Sequence, residues 1–233
     1  MDKSSQYWVV IPATGIGQRM KTACPKQYIQ LSDKSILEHT LDNLLSHPRV
    51  TGAVVIINKN DEYWEKLNYE HDKPVLLCIG GEQRHHSVYN GLFRLKQHTE
   101  DNPYVLIHDA VRPFVSHDDL NLLLDALDES DDGALLAVPV ADTLKFANDN
   151  QVVKTTHSRD NLWRAFTPQA FKLDKISSAL ENVINNNLEI TDDSSAMELM
   201  GARPKLVPGD VQNIKITTPQ DLILAEKLIK VNK

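Results

Sequence analysis

The sequence predicts an α/β fold with three layers, a mainly parallel sheet and a protruding β-arm. Two observations carry this prediction. Short runs of β-branched residues alternate with longer segments of helical period, which is typical of βαβ crossovers. Between residues 139 and 163 this alternation stops, and two strand-like segments flank a polar turn. We expect residues 1–233 to form a single domain, with the arm at about 139–163.

The first part of the chain supplies most of the predicted sheet. Its strands are apolar runs without alternation, as in strands that are buried on both faces. They are Val9–Ile11, Ala53–Ile57, Val75–Ile79, Tyr104–Ile107 and Ala134–Val138. Apolar residues at helical spacing predict helices at 36–45, 61–67, 82–95 and 116–127. Ser116 with Asp119 resembles a capping box at the start of the last of these helices. The resulting order is Rossmann-like.

The second part of the chain contains the arm and the closing elements. The arm strands are predicted at 143–146 and 151–156, around Asn148-Asp149-Asn150, and residues 159–169 are expected to close the arm. Helices are predicted at 174–187 and 192–200, and short strands at 206–207 and 213–216. A last helix begins at Pro219, after a Thr218 cap.

Charge and composition narrow the functional classes. The net charge of −7 argues against binding to duplex nucleic acid, which requires a basic face, so we expect no nucleic-acid partner. The longest apolar runs, such as Ala53–Ile57, are too short to span a bilayer, and the polar start of the chain does not resemble a signal peptide. Cys24 and Cys78 lack metal-ligand spacing and fit a reducing compartment. We therefore expect a cytoplasmic protein without a membrane partner.

A loop rich in small residues follows the first predicted strand. It contains Gly15 and Gly17, which free the backbone to turn N–H groups toward an anion. Taken alone, this Gly-x-Gly is better explained as an ordinary tight turn between a strand and a helix. The nearby cations Arg19 and Lys26 favour a phosphate ligand.

Further charged residues follow strands whose carboxyl ends share one edge of the predicted sheet, where α/β proteins bind ligands. With the two cations already named, this edge carries Arg84, Ser87, Asp109, Arg112 and Lys215. Asp109 is interpreted as a Mg²⁺ ligand, because Mg²⁺ on nucleotides takes one or two protein carboxylates. The alternative is a structural Asp109 that is hydrogen-bonded to Arg112.

Several motifs together resemble a known family. Residues 11–20 with Pro25-Lys26-Gln27 resemble the signature of the nucleotidyltransferases that activate sugar phosphates. Motifs at 80–84, 108–113, 162–169, 191–196 and 213–215 narrow the resemblance to the 2-C-methyl-D-erythritol 4-phosphate cytidylyltransferase family of the non-mevalonate isoprenoid pathway. The resemblance runs from Val9 to about Lys227, and the number and order of the motifs make it specific.

The resemblance implies a reaction and its residues. The family transfers CMP from CTP to methylerythritol phosphate, a polyol phosphate, and releases pyrophosphate, with Mg²⁺ as cofactor. Catalytic roles would fall to Arg19, Lys26 and Lys215. The nucleotide would bind Ala13, Thr14, Gly15, Gly17, Gly80, Arg84, Ser87 and Ala110. The acceptor would bind Asp109, Arg112, Thr143, Arg159 and Thr167, and Asp109 would also hold the metal.

The resemblance also implies a homodimer, because in the family the arm clasps a second subunit. Thr143 and Arg159 would then reach the acceptor phosphate in the neighbour's site. One position departs from the family, which usually has Ala or Gly where this chain has Thr14. The backbone N–H survives that change, so we still expect phosphate binding.

Two other functions stay open. Ribitol-5-phosphate cytidylyltransferases share the glycine loop, the Pro-Lys-Gln and the His-Asp-Ala-Val-Arg-Pro. Leu162-Trp163 and residues 192–196 favour methylerythritol phosphate over ribitol phosphate. A non-catalytic nucleotide-binding module would be expected to have lost a catalytic cation or the metal carboxylate, and this chain retains all of them.

Overall fold

The computed structural model describes residues 6–15, 20 and 24–231. Within those residues the elements are, in order, β1 (Tyr7–Pro12), β2 (Gln30–Leu31), β3 (Lys34–Ser35), α1 (Ile36–Leu45), β4 (Val50–Ile57), α2 (Trp64–Leu67), β5 (Val75–Ile79), α3 (Arg84–Lys96), β6 (Tyr104–Ile107), α4 (His117–Ala126), β7 (Ala134–Pro139), β8 (Leu144–Ala147), β9 (Val153–His157), β10 (Trp163–Lys172), α5 (Leu173–Asn185), α6 (Asp193–Leu199), β11 (Lys205–Pro208) and α7 (Pro219–Val231). A 3-10 turn covers Lys26–Tyr28.

The central sheet has seven strands in the order β11-β7-β10-β6-β1-β4-β5. Strand β10 runs antiparallel to both neighbours, and the other adjacent strands are parallel. Side chains along β1 alternate between the two faces: Val9 packs in the cluster that holds α1 and α4, and Val10 packs in the cluster that holds α3, α5 and α6. Helices therefore cover both faces, which confirms the mainly parallel three-layer α/β fold.

Local patterns located several elements correctly. Helix α1 and strands β5 and β6 have the predicted bounds. The short helix predicted from residue 61 begins later, at Trp64. The capping box at α4 is only half formed. The Ser116 hydroxyl accepts from the Asp119 N–H at 2.9 Å, but the Asp119 carboxylate accepts from the Asp210 N–H at 3.0 Å. A tertiary contact has replaced the local one.

In the second part of the chain one predicted strand is wrong and one prediction is incomplete. Residues 213–216 form no strand, although the Ile216 N–H donates to the Val111 carbonyl at 3.0 Å. This segment crosses the sheet edge instead of joining a ladder. Residues 163–169 do more than close the arm, since they belong to β10 inside the sheet. Pro168 hid this strand from the sequence pattern; it lies where the pairing with β7 is irregular, between Ala165 and Gln169, and there a proline is tolerated.

The arm is the hairpin of β8 and β9, which pair with each other in a separate two-stranded sheet. The predicted polar turn is confirmed: the Asn148 side-chain oxygen accepts from the N–H groups of Asn150 and Val152 at 3.1 and 2.9 Å. The strand residues are exposed, including the apolar side chains of Phe146 and Val153. None of the described helices has the length and apolar character needed to cross a membrane.

Candidate active site

A cavity of about 680 Å³ opens at the carboxyl edge of the sheet. It lies beyond four neighbouring strands, β6, β1, β4 and β5, where ligands of open α/β sheets bind. The segments that follow these strands form most of its wall: residues 12–15, 58–59, 80–84 and 109–111. Lys26, Gln27 and Lys215 complete the lining. The predicted convergence of loops at this edge is therefore observed.

The described part of the glycine loop is fixed at Ala13. Its N–H donates to the Ile56 carbonyl at 2.7 Å, and its carbonyl accepts from the buried Gln27 side chain at 2.6 Å. The second bond ties the 3-10 turn that carries Lys26 to the loop after β1. Lys26 and Gly15 consequently line the same cavity. Gly17 and Arg19 lie outside the described residues.

Thr14 packs against the loop that follows β5. A Cβ placed on Gly80 would lie 2.3 Å from the Thr14 methyl and 2.7 Å from the Ser87 hydroxyl oxygen. The hydroxyls of Thr14 and Ser87 are 3.4 Å apart, and Ser87 also accepts from the Gly81 N–H at 3.1 Å. The larger side chain at position 14 thus fills the space that the absent Gly80 side chain leaves. Ser87 is fully buried, and its contacts hold the loop.

This close approach gives a first prediction. Gly80→Ala should lower the affinity for CTP, the ligand that the family resemblance implies, about tenfold or more, because forcing an extra methyl into a packed site costs about 1–3 kcal/mol. In a Thr14→Ala background the same substitution should reduce the affinity less, because one of the two clashing groups, the Thr14 methyl, is gone. Equilibrium CTP binding to both single variants and the double variant measures the coupling. Equal losses in the two backgrounds would contradict the contact.

Asp109 is the electrostatic centre of the site. Its Oδ2 lies 3.0 Å from Arg112 Nε and 3.0 Å from Lys215 Nζ. Burial by itself would raise the pKa of this carboxyl, but the charges of Lys215, Arg84 and Arg112 lower the pKa below its ordinary value. Asp109 is therefore ionised at neutral pH. Its N–H donates to the Thr167 hydroxyl at 3.0 Å, which fixes the strand end.

Lys215 reaches Asp109 from a segment about one hundred residues further along the chain, and the same segment holds Arg112. Arg112 Nη1 donates to the Asn213 carbonyl at 2.6 Å, and the Asn213 side chain donates to the Thr167 carbonyl at 2.9 Å. Asp109 thus pairs with Arg112, as the structural interpretation expects, and it also lines the cavity; its role as a Mg²⁺ ligand stays a prediction. Residues 213–216, which were predicted to form a strand, instead hold Lys215 at the carboxyl edge of the sheet.

His108, the residue before Asp109, takes a structural role. It is fully buried, and its Nε2 lies 2.9 Å from the Arg112 carbonyl oxygen, so Nε2 carries the proton. Burial lowers the pKa of His108 to about 4, although the bond to Arg112 opposes the shift. The ring is neutral at physiological pH, as expected for a structural histidine.

Two predicted acceptor residues lie away from this cavity. Thr143 and Arg159 are exposed and lie just outside the two arm strands, where Arg159 donates to the Ala141 carbonyl, and neither is among the described residues that line the cavity. Their role in a neighbouring subunit stays a prediction.

The sequence-based site also omitted lining residues. Asn58, Lys59, Glu82 and Gln83 face the cavity. The first two directly follow β4, so their position at a strand's carboxyl end was the available signal.

The lining has a definite chemical character. Its cations are Lys26, Lys59, Arg84 and Lys215, its carboxylates are Glu82 and Asp109, and no histidine is among the described lining residues. Such walls suit phosphate groups, which need cations and N–H donors, better than they suit proton abstraction.

Comparisons with known proteins agree with this character. A family model described as "IspD: 2-C-methyl-D-erythritol 4-phosphate cytidylyltransferase" matches residues 7–231. The protein of that name from Stenotrophomonas maltophilia (strain K279a) is 46% identical over 219 residues, which cover 94% of each chain. The one from Vibrio vulnificus (strain YJ016) is 43% identical over 217 residues, covering 93% of this chain and 92% of that protein.

Solved structures give the same result. The crystal structure of the Francisella tularensis 2-C-methyl-D-erythritol 4-phosphate cytidylyltransferase superposes with a TM-score of 0.83 at 37% identity, covering 96% of this chain and 99% of that one. Fold and site thus define an α/β enzyme of the nucleotidyltransferase class. Within that class, the chain belongs to the 2-C-methyl-D-erythritol 4-phosphate cytidylyltransferase family.

Proposed function

We propose that this enzyme transfers CMP from CTP to 2-C-methyl-D-erythritol 4-phosphate, giving 4-diphosphocytidyl-2-C-methyl-D-erythritol and pyrophosphate for isoprenoid precursor synthesis. The observation that carries the proposal is family membership across residues 7–231, joined to the cation-lined cavity at the sheet edge. The nucleotide would lie along the loops after β1 and β5, with its phosphates toward Lys26 and Lys215.

The acceptor itself supplies the nucleophile. A phosphate monoester has a second pKa of about 6, so one of its oxygens is available at neutral pH without a general base. That oxygen would attack the α-phosphorus of CTP, and the bond to the bridging oxygen of the β-phosphate would break, releasing pyrophosphate. This fits a cavity whose described lining contains no histidine.

The protein's contribution is therefore positioning and charge stabilisation. Lys26 and Lys215 approach from opposite ends of the chain, and we assign them, with Arg19, to the charge that builds at the phosphates. Asp109 holds Lys215 at 3.0 Å and so restricts where that cation can reach. Arg112 is held by Asp109 and Asn213, and we place it beside the acceptor.

Mg²⁺ is part of the proposal, with Asp109 as its protein ligand. Arg112 and Lys215 both pair with Oδ2 of Asp109, and neither pair uses Oδ1. Among the residues that the structure describes, no three metal-ligating side chains cluster, so an all-protein cage is not expected. One carboxylate suits Mg²⁺ that travels with a nucleotide, since phosphates and waters fill its remaining positions. The ion would neutralise phosphate charge.

We further propose a cytoplasmic homodimer joined through the arm. The arm exposes 54% of Phe146 and 56% of Val153. An isolated two-stranded hairpin is at best marginal in water, so a neighbouring chain would stabilise it by covering these apolar side chains. In that assembly Thr143 and Arg159 would serve the partner's acceptor site.

The acceptor assay tests the function. Purified enzyme is given CTP and Mg²⁺ with either methylerythritol phosphate or ribitol 5-phosphate, and pyrophosphate release is followed. We expect the higher kcat/KM with methylerythritol phosphate. Faster turnover of ribitol phosphate would overturn the choice of acceptor, and CTP binding without turnover of either acceptor would favour a non-catalytic module.

A further inference from the structure

The guanidinium of Arg84 is held by a carboxylate from a distant part of the chain. Arg84 begins α3 and lines the cavity. Its Nη1 and Nη2 donate separately to the two carboxylate oxygens of Asp193, at 3.0 and 2.7 Å. A parallel, two-bond contact of this kind fixes the plane of the guanidinium as well as its position. Only Arg84 of this pair lines the cavity.

The two partners differ in exposure. The Asp193 side chain is fully buried, whereas 36% of the Arg84 side chain is exposed. An arginine has five N–H donors, and the contact with Asp193 uses two of them. The other three remain for a ligand. Because the pair is close to neutral overall, Arg84 would offer oriented hydrogen bonds more than net positive charge.

Asp193 is itself held in place by a buried polar network. The Gln169 side chain donates to the Asp192 carboxylate at 2.8 Å and accepts from the Ser194 N–H at 2.8 Å. Asp192 also caps α6 by accepting from the Ser195 N–H at 2.9 Å. These contacts flank Asp193 on both sides, so its carboxylate has little freedom to move.

An arginine side chain without a partner samples many rotamers, and a ligand would have to remove that freedom on binding. Asp193 removes that freedom before the ligand arrives. The buried carboxylate is in turn compensated by Arg84. The pair therefore preorganises one wall of the cavity.

We propose that Asp193 is a positioning residue for the CTP site and acts through Arg84. The inference rests on the proposed function, because it takes CTP as the ligand of the cavity. Oriented donors that bind the nucleotide before and during the reaction affect KM more than kcat. Asp193→Asn should therefore raise both the KM and the Kd for CTP about tenfold, the effect of losing one charge-assisted contact. The kcat and the KM for the acceptor should change less than about threefold.

The experiment is a double-mutant cycle of Asp193→Asn and Arg84→Gln, read by steady-state kinetics and by calorimetric CTP binding. The matched control is Asp118→Asn, which removes an exposed first-turn carboxylate of α4 and should leave CTP affinity unchanged. If Asp193 acts through Arg84, Asp193→Asn adds no further loss of CTP affinity once Arg84 is Gln.

Wild-type affinity in Asp193→Asn would overturn the proposal, as would an equal additional loss in the Arg84→Gln background. If Asp193→Asn does not fold, Arg84→Gln is compared with the double variant, in which neither charge remains. An additional loss of CTP affinity there overturns the proposal, and equal affinities support it. Failure of the proposed function would appear separately, as wild-type enzyme that does not turn over CTP.

Discussion

Lys26→Ala is expected to lower kcat at least about 10²-fold, on the scale of losing one preorganised donor to transition-state charge. Lys26 lines the cavity on a 3-10 turn, and the adjacent Gln27 is bonded to the glycine loop. The alanine variant keeps this anchor, so its fold should be unharmed. Steady-state kinetics with CTP and methylerythritol phosphate, with circular dichroism for folding, measure the effect.

The matched control for Lys26 is Lys205→Ala. Lys205 lies on the edge strand β11, outside the cavity lining, and forms an exposed ion pair with Glu129. The kcat of Lys205→Ala should therefore stay within about twofold of the wild-type value. Near-normal turnover in Lys26→Ala would remove this lysine from the catalytic assignment.

Arg159→Ala is also expected to lose about 10²-fold in activity. Part of this activity should return when an Arg159→Ala subunit pairs with a subunit that is inactive for another reason. If the arm of one subunit serves its partner's site, a mixed dimer of Arg159→Ala and Lys26→Ala contains one site with both residues intact. Random mixing makes half of the dimers mixed, so about a quarter of wild-type activity should return. The two variants carry different affinity tags, so the mixed dimer can be purified and assayed.

Sedimentation must first show that both single variants are dimers. If purified mixed dimers are as inactive as their parents, then Arg159 does not act across the interface. A monomeric wild-type enzyme would contradict the homodimer itself. Arg159→Lys is the conservative companion: it retains the positive charge without the planar donors, so its loss should be smaller.

The sequence was sufficient to predict the fold class, because the pattern of apolar residues that defines each strand and helix lies within that element. Non-alternating apolar runs predict buried strands, and β5 and β6 have the predicted bounds for that reason. The same reasoning placed the residues after β1, β5 and β6 at one edge. Lys26, Arg84 and Asp109 were therefore correctly expected to converge on one cavity. The family resemblance supplied the reaction, which no spacing in the chain encodes.

Other features depended on contacts between distant segments. β10 enters the sheet between β6 and β7 and brings Thr167 to the Asp109 N–H, and the proline inside that strand obscured its pattern. Lys215 was expected on a strand, and it lies on a crossing segment whose course is fixed by tertiary hydrogen bonds.

The sequence by itself thus determined the fold class, the edge of the sheet at which the cavity opens and most of the charged residues there. Only the tertiary structure decided how those residues are paired. Asp109 meets Lys215, and Arg84 meets Asp193, across more than a hundred residues of chain in each case. Thr14 likewise fills the space beside Gly80 from a separate loop. Periodicity reports which face of an element is buried, but the partner of a side chain depends on how whole elements pack.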